Sequence, residues 1–251
     1  MRRTILITGA STGIGAETAR CLAKGNTLIL HHNQSPIEPV VEEVNAMGGT
    51  AYTSQADLMS EAGCYSLMQE VNRITEHLDV LINNAGSLLQ RHMVEEVTWS
   101  LMERIFTLNT YSAMLLTKLC VPLLRKGNSP SIVNMTSIAM RHGAPTATVY
   151  GAAKGAIDSF TRGSARELAP DIRVNAVAPG VILTPFHDRY STDEKLAAIA
   201  NDTPVGFNGE SDHIAQTVKL LIENSFITGE TIDRKFPPSD TKIQEFRQTI
   251  S

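Results

Sequence analysis

Short apolar runs along the chain alternate with longer stretches of helical period, the pattern left by repeated strand–helix–strand units. Thr4–Ile7 reads as a buried strand, followed by a glycine-rich turn and a helix from about Gly13 to Lys24. Gly25-Asn26 ends that helix, and Thr27–Leu30 is the second strand. A helix from near Pro36 to Met47 stops at Gly48-Gly49, where a C-terminal glycine belongs. Ala51–Ser54 is a weak third strand, and a helix from Glu61 to about Glu76 leads into a fourth strand at Asp79–Ile82. Trp99–Leu124 is apolar and long enough for one core helix. Ile132–Met135 is the fifth strand, with a helix over about Val149–Leu168 behind it and a sixth strand at Ile172–Val177. The stretch from Gly180 to about Pro204 is rich in loop residues, with one short helix near Asp193–Ala200. A last helix, about Asp212–Ile222, precedes a weak strand near Thr231–Ile232. Strands regularly separated by helices predict an α/β fold with a parallel sheet and helices on both faces.

Composition narrows the function classes. The 251 residues are 42% hydrophobic and 19% charged, with a net charge of −4. That is an ordinary balance for one large folded unit, and one domain over residues 1–251 is the expectation. No run of Lys or Arg is long enough for a nucleic-acid footprint. No window reaches the roughly 18 apolar residues of a membrane span, and Ile5-Leu6-Ile7 behind Arg2-Arg3 is too short for a secretory signal core. Cys21, Cys64 and Cys120 stand singly, without ligand spacing, so no metal site and a reduced, cytoplasmic setting are expected.

Three motifs carry chemistry. Thr8-Gly9-Ala10-Ser11-Thr12-Gly13-Ile14-Gly15 sits between a strand and a helix, where glycines let the backbone approach a pyrophosphate and the helix N-terminus meets its charge. Its spacing, G-x-x-x-G-x-G, departs from the commoner dinucleotide fingerprint. Tyr150 and Lys154 are four apart on a helix, hence on one face. An ammonium beside a phenol favours the phenolate and lowers a pKa that is otherwise about 10. The same pair also suits an ordinary exposed helix. Ser137 follows the fifth strand, at the end of an open sheet where ligands bind; a turn serine would read the same. His31-His32 is not a metal pair, since adjacent strand residues face opposite ways. His142 and His187 flank the region as loop histidines.

Together, Thr8–Gly15, Asn83-Asn84-Ala85-Gly86, Asn109, Ser137, Tyr150, Lys154 and Asn175-Ala176-Val177-Ala178-Pro179-Gly180 resemble the short-chain dehydrogenase/reductase family, over roughly residues 4–185. The central region is most similar to its 3-oxoacyl-acyl-carrier-protein-reductase-like branch. The resemblance implies a Rossmann-type doubly wound sheet of about seven parallel strands and a catalytic tetrad on Asn109, Ser137, Tyr150 and Lys154. Tyr150 would be the general acid or base, Ser137 would polarise the substrate oxygen, and Lys154 would bind the nicotinamide ribose. Asn109 would hold a water for proton relay, or merely bond helix backbone. The resemblance further implies cofactor contacts from Gly9, Ser11, Thr12, Gly13, Ile14 and Gly15, from Asp57 and Leu58, and from Asn84, Ala85 and Gly86. Asp57 also suits a helix N-cap. Pro179, Gly180, Ile182 and Thr184 would wall the nicotinamide, Thr184 being equally readable as a turn residue.

Cofactor choice turns on the end of the second strand, where an acid would bond the ribose 2′-hydroxyl and repel a 2′-phosphate. Here His32 stands at that place, and Asn33, Gln34 and Ser35 offer neutral donors, which favours NADP over NAD. The expected activity is hydride transfer between nicotinamide and a carbonyl or secondary alcohol of a small molecule. Rival readings are a 3-oxoacyl-acyl-carrier-protein reductase, a pteridine reductase, and a catalytically silent dinucleotide-binding regulator. Ala169-Pro170-Asp171 past the catalytic helix speaks against an acidic carrier, Ser137 against a pteridine reductase, and the complete tetrad against a silent regulator. Family members are mostly tetramers, so a homo-oligomer, tetramer or dimer, is implied. The end of the chain departs from the usual glycine pair at Arg234-Lys235-Phe236-Pro237-Pro238. Residues 180–204 are expected to form a substrate lid.

Overall fold

A computed structural model describes residues 2–185, 191–203 and 205–234. Strands β1 (Thr4–Ile7), β2 (Thr27–His32), β3 (Thr50–Gln55), β4 (Val80–Asn83), β5 (Ser131–Met135), β6 (Arg173–Pro179) and β9 (Thr231–Arg234) form one sheet in the order β3-β2-β1-β4-β5-β6-β9. Every pairing is parallel, with Ile5 beside both Leu28 and Val80. The chain therefore leaves β1 in one direction to reach β2 and lies in the other for β4. The gap at the carboxyl ends of β1 and β4 is the switch point where open α/β sheets bind ligands.

Period-2 alternation in β1 divides the core into two layers. Ile5 and Ile7, with Leu28 and Leu30, pack against Ala16 and Ala19 of α1 (Gly13–Cys21), Val40 and Val44 of α2 (Glu38–Ala46), and Ile214 and Val218 of α9 (Ser211–Glu223). Leu6 faces the other way, against Leu67 and Val71 of α3 (Glu61–Ile74) and Leu116 and Cys120 of α5 (Ser112–Leu124). Each such fully buried Leu or Ile contributes about 1.5–3 kcal/mol, so the sheet is a rigid base for what stands at its edge. The polar strands β3 and β9, weak in the sequence, form because each has a largely buried neighbour to pair with, β2 and β6.

The predicted single helix over Trp99–Leu124 is instead α4 (Trp99–Phe106), a wide π turn at Thr107–Tyr111, and α5. The cause is Asn109, whose side-chain Nδ2 donates to the Ile105 carbonyl at 2.9 Å and so competes with the backbone ladder. Thr107 Oγ1 and Ser112 Oγ likewise bond the Glu103 and Leu108 carbonyls, both at 2.7 Å. Short elements unforeseen in the sequence are α6 (Ala139–His142) and a two-strand sheet of β7 (Ile182–Leu183) and β8 (Gly209–Glu210). α7 (Thr148–Leu168) carries the Tyr–Lys pair, and α8 (Asp193–Asp202) starts at Thr192, whose Oγ1 accepts the Lys195 N–H. His187, residues 186–190 and Pro204 of the expected lid, and Lys235-Phe236-Pro237-Pro238 lie outside the described residues.

Candidate active site

The glycine loop is sewn to the end of β4. Thr8 Oγ1 accepts the N–H groups of Asn84 and Ala85 at 2.9 and 3.0 Å. Asn84 Nδ2 returns bonds to the carbonyls of Thr8 and Gly9 at 2.9 and 3.0 Å. Gly9 needs its hydrogen side chain: φ is +65°, and a Cβ would meet Ala85 Cα at 3.1 Å. A Cβ on Gly15 would overlap the Gly9 carbonyl oxygen. α1 starts directly after this loop, and Thr12 supplies no side-chain cap bond. Its first-turn N–H groups, which no helical carbonyl can reach, form the positive end that suits a phosphate.

His31 supports the loop from beneath. Gly9 N–H donates to its Nδ1 at 3.1 Å, so the ring proton sits on Nε2 and bonds the Ala56 carbonyl at 3.1 Å. Burial pushes its pKa down to about 4, leaving a neutral imidazole at pH 7.

At the other end of the cavity, α7 places Tyr150 and Lys154 one turn apart. The Ser137 hydroxyl hydrogen-bonds Tyr150. Lys154 Nζ lies 5.8 Å from the centroid of the Tyr150 ring and donates to the Met135 carbonyl at 2.8 Å. Burial raises the Tyr150 phenol to about 12 despite the Ser137 bond, and lowers Lys154 to about 8. The expected lowering of Tyr150 by its ammonium neighbour is thus not found, and desolvation keeps the phenol protonated at neutral pH.

Comparison with known proteins agrees with this geometry. A family profile described as enoyl-(acyl carrier protein) reductase matches residues 9–234. The chain is 33% identical to cyclopentanol dehydrogenase of Comamonas testosteroni, over 92% of this chain and 94% of that one. It is 32% identical to the chloroplastic NADPH-dependent aldehyde reductase 1 of Arabidopsis thaliana, over 92% and 84%. The crystal structure of an NADH-dependent reductase, A1-R′, described as responsible for alginate metabolism, superposes with a TM-score of 0.83 at 30% identity, over 92% and 94%. The chain belongs to the short-chain dehydrogenase/reductase family. As such it is an oxidoreductase acting on CH–OH or C=O groups, in a family that uses a nicotinamide cofactor.

The short-chain dehydrogenase/reductase cavity measures about 710 Å³ and runs from the glycine loop to Tyr150. Its wall brings together Gly9, Ser11, Thr12, Gly13, Ile14 and Gly15; Asn33 and Ser35; Leu58; Asn84, Ala85 and Gly86; Ser137, Tyr150 and Lys154; and Pro179, Gly180, Ile182 and Thr184. These residues fit a dinucleotide: a side-chain-free cradle at one end and a proton-carrying group at the other. Three named residues lie off the wall. His32 is turned aside, its Nδ1 bonding the Ser35 carbonyl at 3.1 Å. Asp57 is exposed and accepts the Met59 N–H at 3.0 Å; the N-cap of α3 is Ser60, not Asp57. Asn109 is buried behind Ser87: its Nδ2 donates to the Ser87 carbonyl at 2.8 Å while its Oδ1 accepts the Ser87 N–H at 3.1 Å. A Cβ on Gly86 would meet Asn109 Oδ1 at 2.7 Å and Lys154 Nζ at 3.0 Å, so both atoms flank one spot.

The sequence reading missed His31, Arg91 and His92. His31 and Arg91 line the cavity, as does His142. His92 is buried, and its Nε2 accepts the Val149 N–H at 3.5 Å and meets Thr148 Oγ1 at 3.3 Å. It serves α7 as a cap from another loop, since Ala147 offers none. Arg91 and His92 are isolated loop residues that no local pattern marks, and for His31 the alternation with His32 does not say which of the two meets the glycine loop. Among the described residues there is no metal-binding cluster and no helix long and apolar enough to cross a membrane.

Proposed function

We propose that this enzyme moves a hydride between NADP(H) and the carbonyl or secondary alcohol carbon of a small molecule, with Tyr150 transferring the proton at oxygen. The observation that carries the reading is the Ser137–Tyr150 hydrogen bond, with Lys154 one turn along, in the same cavity as the glycine cradle. The bound nicotinamide supplies or accepts the hydride. Ser137 holds the substrate oxygen and stabilises charge that develops there. Tyr150, protonated at neutral pH, donates in the direction of reduction. Lys154 anchors the ribose hydroxyls, and Asn109, whose side chain bonds the Ser87 and Ile105 backbone, fixes the turn beside Lys154. Alcohol oxidation needs the phenolate, so it gains with rising pH.

NADP(H) is favoured because Asn33, Gln34 and Ser35 are neutral and the end of β2 lacks an acid to repel a 2′-phosphate. Hydrogen bonds to a charged group are worth about 1.5–3 kcal/mol each, enough for a ten- to hundredfold preference. The similar proteins carry NADPH in one name and NADH in another. kcat/KM with both cofactors on one ketone decides it, and a preference for NADH overturns it. Ser191, Lys195 and Ile199, at helical spacing on and before α8, line the cavity and support its role as a lid. Trp99 and Tyr111 are 74% and 55% exposed, which supports pairing with a second copy through α4 and the π turn that follows it.

Deuterium placed at both C4 positions of the reduced nicotinamide tests the reaction directly. The label should appear on the carbinol carbon of the product. Cofactor oxidation without label in the product refutes hydride transfer.

A further inference from the structure

The cavity has a charged wall that neither the cofactor cradle nor the proton machinery uses. Among the described residues lining it there is no Asp or Glu, while Arg91 and Lys195 join Lys154 as formal cations. Arg91 comes from the loop after β4 and Lys195 from α8, which covers the cavity. Arg91 is held in place: its Nη1 donates to Thr146 Oγ1 at 2.8 Å. Thr146 has φ +65°, a left-handed conformation that β-branched residues avoid. A second bond, from His92 N–H to the Thr146 carbonyl at 3.0 Å, secures that conformation. The strained residue stands four positions before Tyr150, so the guanidinium is fixed relative to the proton donor. Cations on the described wall attract anions, and the guanidinium fork matches a carboxylate or phosphate with paired N–H donors.

We infer that the substrate is a small carbonyl compound bearing an anionic carboxylate or phosphate group, which seats on Arg91 with Lys195 as a second cation while its carbonyl meets Ser137 and Tyr150. This rests on the proposed oxidoreductase reading and names the substrate class of the same site. The test compares two acid–neutral pairs: 4-oxopentanoate with its methyl ester, and dihydroxyacetone phosphate with dihydroxyacetone. At least one acid should exceed its neutral partner in kcat/KM by about tenfold or more, the size of one charged hydrogen bond. Arg91→Gln should bring that ratio close to one, Arg91→Lys should keep part of it, and Lys195→Gln should lower it by a smaller factor. The two pairs separate a carboxylate from a phosphate preference. Neutral partners equal to or better than both acids overturn the inference, as does a ratio unchanged in Arg91→Gln. If none of the four turns over, calorimetric binding of 4-oxopentanoate and dihydroxyacetone phosphate to the NADP-loaded enzyme decides. Binding weakened tenfold in Arg91→Gln supports the inference, and no binding, or binding indifferent to Arg91, overturns it. Label transfer to any neutral ketone keeps the oxidoreductase reading intact whichever way the anion result falls.

Discussion

Removing the titration of His31 while keeping its acceptor should change how stability depends on pH. His31 is 2% exposed, and burial lowers its pKa from 6.5 to about 4. Between those values the unfolded chain binds a proton that the native chain resists, so stability falls as pH falls through this window and is fully kept above pH 6.5. At about 1.36 kcal/mol per unit, the two and a half units correspond to roughly 3 kcal/mol, most of it lost by pH 4.5. The structural reason is that Nδ1 must stay unprotonated to accept the Gly9 N–H at 3.1 Å, with the Ala56 carbonyl taking the only ring proton. An imidazolium would set two N–H groups against each other under the glycine loop. His31→Asn leaves an oxygen near Nδ1 but cannot titrate. Urea unfolding of both proteins at steps from pH 7 to 4.5 should show the wild type losing about 2.5 kcal/mol more than His31→Asn. NADP affinity should decline over the same range in the wild type. Parallel stability curves would refute the neutral, buried imidazole and its support of the loop.

Other outcomes follow from the same geometry. Gly15→Ala places a Cβ on the Gly9 carbonyl oxygen and should weaken cofactor binding by about tenfold or more, since each such loss needs only about 1.4 kcal/mol; calorimetry checks it, and unchanged binding contradicts the cradle. His92→Ala removes the cap that α7 lacks of its own, and should cost about 1 kcal/mol in thermal or urea unfolding. A phenol held near 12 predicts that the rate of alcohol oxidation climbs steadily from pH 7 to 10, while ketone reduction does not; a flat oxidation profile would count against Tyr150 as base.

The sheet was legible because its strands are apolar runs: Thr4–Ile7 and the fourth strand are close to the predicted bounds, and each is buried along its whole length. The glycine loop stood out by its place between a strand and a helix, whereas Ser137 and the Tyr150–Lys154 pair each suit a turn or an exposed helix and stood out only through the joint resemblance; all of them line one cavity. The break at Asn109 was not, since the apolar pattern continues through it and the competing bonds come from side-chain amides and hydroxyls. The two-residue strands β7 and β8 are too short to show any period. At the end of β2 the reading favoured His32 for the cofactor, yet it is His31 that turns beneath Gly9 and lines the cavity. Alternation says that the two histidines face apart, but only the third dimension says which face holds the loop. Arg91, Thr146 and His92 meet across more than fifty residues of sequence, a contact that no local pattern encodes.

The central claim is that Tyr150 supplies the proton within a site that binds cofactor independently of it. Tyr150→Phe keeps the ring and its packing and removes only the hydroxyl that Ser137 bonds. Calorimetry with NADP should give an affinity close to that of the wild type, while single-turnover ketone reduction in the same samples slows by about 10²–10⁴, the cost of losing a positioned acid. Near-normal turnover with the hydroxyl gone would contradict the account.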